Sequence, residues 1–553
     1  MPTGVARTGV QTCAWTHWAR RTGELLKARL LLIAYALVNA VLYSVLLPLW
    51  EGFDEPFHFA YVQQLSDGQG LPDARTARLS REVGASILLT PASQAVKQNL
   101  PQVTSYTQYF SWPVSRRSEA RRRLRDIPTE LRWQPSELLN YEAHQPPLAY
   151  TLLAAPERLL ARFSLPVRVA MLRIIAAVAG SLLLLSGAER LFSQLEIPDP
   201  YGTVALFCQL SCQMTWATLA HIGNDWLAVP IAVWALVALN VLGKSPGRRS
   251  AAVAAVALAA GLLTKAYFLS FVPLLVGLCV VRRRWHELAI TSVILCGLAG
   301  PWYARNLVLY GVLTGTQESR SGVGLPTVLR VAPTVDWLAM IWSSVRASFW
   351  TGNNSFLALS ANTLNLITAT SLVALLLWVA SRHATAEWIT LLYCVLFALA
   401  LGYAAVVSHI YTHGAANGPS PWYAQAILAP LLGLALLGAA RWPRLGRFVA
   451  ALLVLEFGYV LAATYAVKLI PLYGGYDGRT SLVGVATLYS RRLGMLATNL
   501  DTAALAPAAA IFALAGVAML LVIAHQVVLI QSLARTLARP VVLNPAFRAI
   551  DSP

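Results

Sequence analysis

Charge is what this sequence has least of: Asp, Glu, Lys and Arg make up 12% of its 553 residues, against about 25% in an ordinary soluble domain. With 57% hydrophobic residues and a mean hydropathy of +0.57, that shortage excludes a soluble globular chain and implies a polytopic membrane protein. Cysteine is scarce as well. The six are scattered, at Cys13, Cys208, Cys212, Cys279, Cys296 and Cys394, so no disulfide framework is implied. Cys208 and Cys212 stand one helical turn apart but lack the His or further Cys partners that a metal site needs. There is no internal repeat, and no low-complexity tract beyond Ala/Leu-rich runs. Acids are the scarcer sign, 25 against 43 Lys and Arg, for a net charge of +18. In a soluble chain that balance would suggest nucleic acid. Here much of the basic charge sits in short loops between apolar runs, where it signals topology, and no nucleic-acid partner is expected.

The first apolar run, residues 30–50, is long enough to cross a hydrocarbon core of about 30 Å. It is too long for a signal-peptide core and lacks a small-residue cleavage site, so it reads as a retained signal anchor. Arg7, Arg20, Arg21, Lys27 and Arg29 precede it, which places the N-terminus in the cytoplasm. The basic loops 244–250, 281–287 and 441–447 and the tail 535–540 fall on the same side. Apolar runs at roughly 168–193, 201–219, 224–243, 251–263, 265–281, 288–308, 363–381, 385–408, 422–440, 447–466 and 506–532 complete about twelve crossings and return the C-terminus to the cytoplasm. One apolar segment, 144–163, would invert every later loop if it crossed. Pro146, Pro147 and Pro156 interrupt it, so it is expected to be a re-entrant or interfacial helix. The fold expected is therefore all-α, with about twelve transmembrane helices and long extracytoplasmic loops at 51–143, about 309–362 and 467–505.

Chemistry-bearing residues collect where the chain leaves the membrane on that outer side. "FDEPFHF", 53–59, sets Asp54 beside Glu55 with His58 three residues on, among Phe53, Phe57, Phe59 and Tyr61. Such a group can hold a proton or a cation, and burial with like-charge proximity would raise one carboxylate toward the working range of a general base. The bland alternative is a pair of solvated loop acids. Lys265, at the tip of the short hairpin 251–281, is expensive at membrane depth unless an anion pairs with it. "SRRSEARRRLRD", 115–126, reads as a solvated charged helix or as a contact for anionic headgroups. "PLYGGYDGRT", 471–480, offers Tyr473, Tyr476, Asp477 and Arg479 as sugar or acceptor contacts, and "FWTGNNSF", 349–356, is similar in character; both read equally as turns.

In order and spacing, "FDEPFHFAYVQQLSDGQGLP", "YEAHQPPLAY", "HIGNDWLAV", "GLLTKAYFLSFVPLL" and "AGPWYARNLVLYG" resemble the motif series of the GT-C superfamily of integral-membrane glycosyltransferases, nearest to the protein-mannosyltransferase and aminoarabinose-transferase-like branch with its bacterial relatives. The resemblance covers about 30–315 well and the remainder poorly. It divides the chain into a cytoplasmic segment 1–29, a catalytic transmembrane module 30–315 and a variable module 316–553. It implies a bacterial inner-membrane transferase that uses a polyprenyl-phosphate-linked sugar donor, its active site facing outward, with an unspecified glycan, lipid or protein as acceptor. Asp54 would be the base, with Glu55 second in line, and Arg305 and Lys265 would meet the donor phosphate. His58, His144, Asn224 and Asp225 would line the cavity or orient groups within it, although Asp225 is equally suited to capping its helix. Some members of the superfamily need a divalent metal ion and others do not, which leaves the cofactor open. Two rival classes are a transporter or flippase of a lipid-linked glycan and a non-catalytic scaffold. The absence of a two-fold repeat counts against the transporter.

Overall fold

The structure, a computed structural model, describes residues 9–93, 96–97, 100–353, 357–414, 418–476 and 481–535, with side-chain surroundings from residue 27 onward. Among these, eight helices are long and apolar enough to cross a membrane, from Lys27–Leu46 to Ala508–Arg535. A ninth span forms if Trp285–Leu298 and Gly300–Tyr310 count together; they meet at 53°, where Gly300 and Pro301 interrupt the helical ladder. The other apolar runs are helical but short. Residues 201–219 divide into Tyr201–Ser211 and Gln213–Leu219 at the extended Cys212, and the hairpin arms are Arg248–Leu262 and Ala266–Val280. Four of the twelve expected crossings are thus broken or half-length, or three if the bent pair counts as one span.

The segment 144–163 contains the helix Leu148–Leu160, 13 residues with Pro156 inside it. At about 1.5 Å per residue it is too short to cross a bilayer. Ala149, Tyr150 and Leu153 pack inward, while Leu159 is 81% exposed, the asymmetry expected of an interfacial helix.

Between the first two long helices the chain builds a small domain. It holds the helices Glu55–Ser66, Arg81–Leu89 and Val114–Arg125, with Arg78–Ser80 paired antiparallel to Pro135–Leu139. Its core of Phe59, Leu79, Val83 and Leu153 is continuous with Leu165, Val169 and Leu172 of the helix Leu165–Gln194. Buried charges fasten the same junction. Arg168 reaches Glu82 and Glu157, and Arg132 reaches Glu157 at 3.1 Å and Asp67. A buried ion pair gives little net stability but penalises any arrangement that separates it. The small domain is therefore fixed in register on the bundle.

The basic helix Val114–Arg125 is also partly a brace. Arg117 donates to Asn499 Oδ1 at 2.8 Å and Arg121 to the Ala504 carbonyl at 2.5 Å, while Arg116, Arg122, Arg123 and Arg125 remain exposed.

Candidate active site

The first membrane helix ends at Leu46, and its last carbonyls have no partner further along the helix. Arg173, fully buried in the second long helix, supplies one: it donates to the carbonyls of Ser44, Leu47 and Pro48 at 3.3, 3.0 and 3.0 Å. The same guanidinium clasps Glu55 through both carboxylate oxygens, Nε to Oε1 at 2.7 Å and Nη2 to Oε2. Ile222 N adds a third donor to Oε1 at 3.0 Å. Burial alone would raise the Glu55 carboxyl, but the Arg173 charge and hydrogen bonds more than reverse this and hold it below its usual range. Glu55 is fully buried with both oxygens engaged.

Asp54 is placed quite differently. Its backbone takes the left-handed conformation, φ 53° and ψ 19°, uncommon for a residue with a side chain and a frequent mark of functional turns. Pro56 opens the following helix rather than keeping Glu55 out of it: Glu55 is the first helical residue and Asp54 the turn before it. Gly52 is required here, since a Cβ on it would lie 2.6 Å from the His221 Cβ. The Asp54 side chain makes no cap to its own helix. It accepts instead from the Tyr141 hydroxyl at 2.5 Å. Burial raises the Asp54 carboxyl above its ordinary value, opposed by the Tyr141 hydrogen bond and by His221 and Lys265.

Other groups close around it. Glu142 receives the Gln145 amide at 3.0 Å and is pushed up to about 8 by burial and by the Asp54 charge. His58 Nδ1 lies 2.8 Å from the Tyr150 hydroxyl and 3.8 Å from Glu142, and burial lowers its pKa well below the ordinary histidine value. His144 Nδ1 meets the Tyr141 carbonyl at 2.5 Å, buttressing the residue that holds Asp54; burial lowers its pKa to about 4. Asn224 donates to Gln145 Oε1 at 3.0 Å. Lys265 pairs with Asp225 at 2.6 Å and sits 4.6 Å from the centre of the Tyr423 ring. The anion that Lys265 requires is thus Asp225, from another helix. The short hairpin tip is held to the start of the interfacial helix by Leu148 N donating to Leu263 O at 2.8 Å.

Arg305 stands apart, on the bent helix. One amino group donates to Pro72 O at 2.6 Å, and the other, Nη1, is buried without a partner among the described residues. Its charge acts on Tyr61, whose ring stacks on Tyr150 at 4.2 Å.

Tyr473 departs from its expected place: it is fully buried, donating to Glu51 Oε1 at 3.2 Å and accepting from Asn353 at 3.4 Å, so it offers no surface to a sugar. Tyr476 accepts from Arg492 at 3.4 Å. Asp477 and Arg479 lie outside the described residues, as do residues 354–356 of the other aromatic motif.

Five participants were not singled out by the sequence: Tyr141, Glu142, Arg173, His221 and Tyr423. Tyr141, Glu142 and His221 sit inside the quoted "YEAHQPPLAY" and "HIGNDWLAV" segments and were the legible ones. Among the described residues no three His, Cys, Asp or Glu side chains are grouped to hold a metal ion; the acids here engage Tyr141, Gln145 and Lys265 instead.

These features define a predominantly helical, multi-pass membrane protein with a buried acid–base cluster where its small domain meets the bundle. No family model and no curated protein matches the chain. Among solved structures it is similar to the crystal structure of ArnT from Cupriavidus metallidurans bound to undecaprenyl phosphate, with 14% identity and a TM-score of 0.42 over 90% of this chain and 77% of that one. At that level of agreement, the roles of individual residues rest on this chain's own geometry.

Proposed function

We propose that the protein transfers a sugar from a polyprenyl-phosphate-linked donor to an acceptor on the outer side of a bacterial inner membrane, with Asp54 as general base. The observation that carries this reading is the division of the acidic pair. Glu55 is spent on Arg173, whereas among the described residues no cation pairs with Asp54, which is only partly buried and has its affinity for a proton raised. In the reaction an acceptor O–H or N–H gives its proton to Asp54 as the heteroatom attacks the sugar C1. The C1–oxygen bond to phosphate breaks on the opposite face, and the lipid phosphate leaves with the electron pair. Arg305, with its unpaired Nη1, and Lys265, with donors beyond the one given to Asp225, are suited to that phosphate. Arg in particular presents a fork to phosphate.

The test uses purified protein with radiolabelled polyprenyl-phosphate sugars and extracted envelope acceptors. Wild type should transfer the label, and Asp54→Asn should lose about 10²–10⁴-fold in turnover while still binding donor. Flux of donor across vesicles that survives Asp54→Asn would replace the transferase with a flippase.

A further inference from the structure

A concavity lies at the far end of the helix that Asp54 opens. It encloses about 420 Å³ between Glu55–Ser66, Arg78–Ser80 and the turn Thr129–Trp133, with Gln64, Gln69, Asp73, Arg78, Trp133 and Gln134 among its walls. That volume is within the range of about 300–1,000 Å³ usual for small-molecule sites. Its lining is not usual. Such sites are mostly apolar, whereas this one is walled chiefly by amides and charged groups, so an acyl chain has no reason to enter. The charges cancel, Asp67 and Asp73 against Arg78 and Arg132. Both acids already have guanidinium partners, Arg132 for Asp67 and Arg75 for Asp73, so the pocket does not call for an ion of either sign. What it offers is planar amides, which both donate and accept, beside one large aromatic side chain: Trp133 is 59% exposed, with the Arg132 guanidinium 5.5 Å from its ring centre. An occupant with many hydroxyls, no net charge and an apolar ring face fits that set, and a sugar has all three.

Position adds a second argument. Ala60, Gln63, Gln64 and Asp67 line the pocket and share one face of their helix by their spacing. The same face leads back to Phe57, whose ring lies 4.2 Å from that of Tyr141, the residue holding Asp54. From Asp54 to Gln64 the helix rises roughly 15 Å, the span of a short oligosaccharide. The rim is also tied to the bent helix: Tyr310 donates to Asp73 Oδ1 at 3.3 Å, and Arg305 binds the Pro72 carbonyl.

We propose that this pocket is an acceptor subsite for a neutral oligosaccharide, with Trp133 as the platform for one sugar ring and Gln64, Gln69 and Gln134 meeting its hydroxyls. The acceptor is then a glycan, or carries one, and its reactive end lies at Asp54. The assignment of acceptor rests on the transferase reading; binding in the pocket does not.

The experiment is a printed array of neutral and acidic oligosaccharides probed with the detergent-solubilised full chain as wild type, Asp54→Asn, Trp133→Ala and Gln69→Ala, each checked for an unchanged melting temperature. Wild type and Asp54→Asn should bind the same neutral oligosaccharides, and Trp133→Ala should bind them about tenfold more weakly, the loss of one aromatic contact. In the transfer assay Trp133→Ala should raise the acceptor KM rather than lower kcat. Binding that is absent, confined to acidic probes or equal in Trp133→Ala overturns the subsite even if transfer is observed. Binding by wild type and Asp54→Asn alike with no transfer by either keeps the subsite and overturns the transferase.

Discussion

Asp54 and Glu55 are chemically near twins one bond apart in sequence, and their neighbours give them opposite work. Glu55→Gln leaves Arg173 buried without the carboxylate that balances its charge, a change that typically costs about 3–5 kcal/mol. Asp54→Asn breaks no ion pair and keeps an acceptor for Tyr141. Melting in detergent should therefore separate them, with a large fall for Glu55→Gln and little change for Asp54→Asn, although both lose turnover. Tyr141 offers a finer probe. Its hydrogen bond favours the ionised Asp54, so Tyr141→Phe raises the Asp54 pKa further. The base works deprotonated, so the acidic limb of the kcat–pH profile should move to higher pH in Tyr141→Phe; an unmoved limb would separate Asp54 from the proton transfer.

At the scale of elements, the small domain is positioned by helices that were easy to read and by charges that were not. The apolar runs show themselves by length, and the interfacial helix 148–160 by its prolines. Arg168 and Arg173 lie within the run read as a span at 168–193, where they look like tolerated charges at a helix end. Their partners, Glu82, Glu157 and Glu55, come from segments 11 to 118 residues away, and no local pattern announces pairings of that kind. Lys265 is intermediate: the need for an anion was legible from its depth, and the choice of Asp225, 40 residues distant, was not. Glu157 serves two guanidiniums through one oxygen, Arg132 at 3.1 Å and Arg168 at 2.5 Å. Glu157→Gln should cost about 3–5 kcal/mol and open the loop domain first, visible as faster proteolysis within 67–132 while the membrane helices stay protected.

At the scale of the whole molecule, Glu142 links the site to overall stability. Its folded-state pKa, about 8 against an ordinary 4.5, lies above its unfolded value, so the folded state holds the proton more tightly. Its contribution is fully present below about pH 4.5 and is lost as pH rises through about 8. Wild type should lose melting temperature over that interval, and Glu142→Gln, which cannot ionise, should show a flatter profile and exceed wild type above pH 8. The overall architecture was legible because the bilayer imposes one length on every crossing. The half-length helices around 201–219 and 248–280 escape that rule because protein, rather than lipid, surrounds much of them, and broken helices are tolerated at membrane depth on that condition.

Arg173 holds the last carbonyls of the first helix, the turn that bears Asp54 and the second long helix at a single point. A bilayer that thickens or thins must then tilt these parts together or deform around them. The guanidinium is in effect a depth gauge: it fixes the level of the turn that bears Asp54 against both helices, independently of whatever the rest of the chain does with its loops.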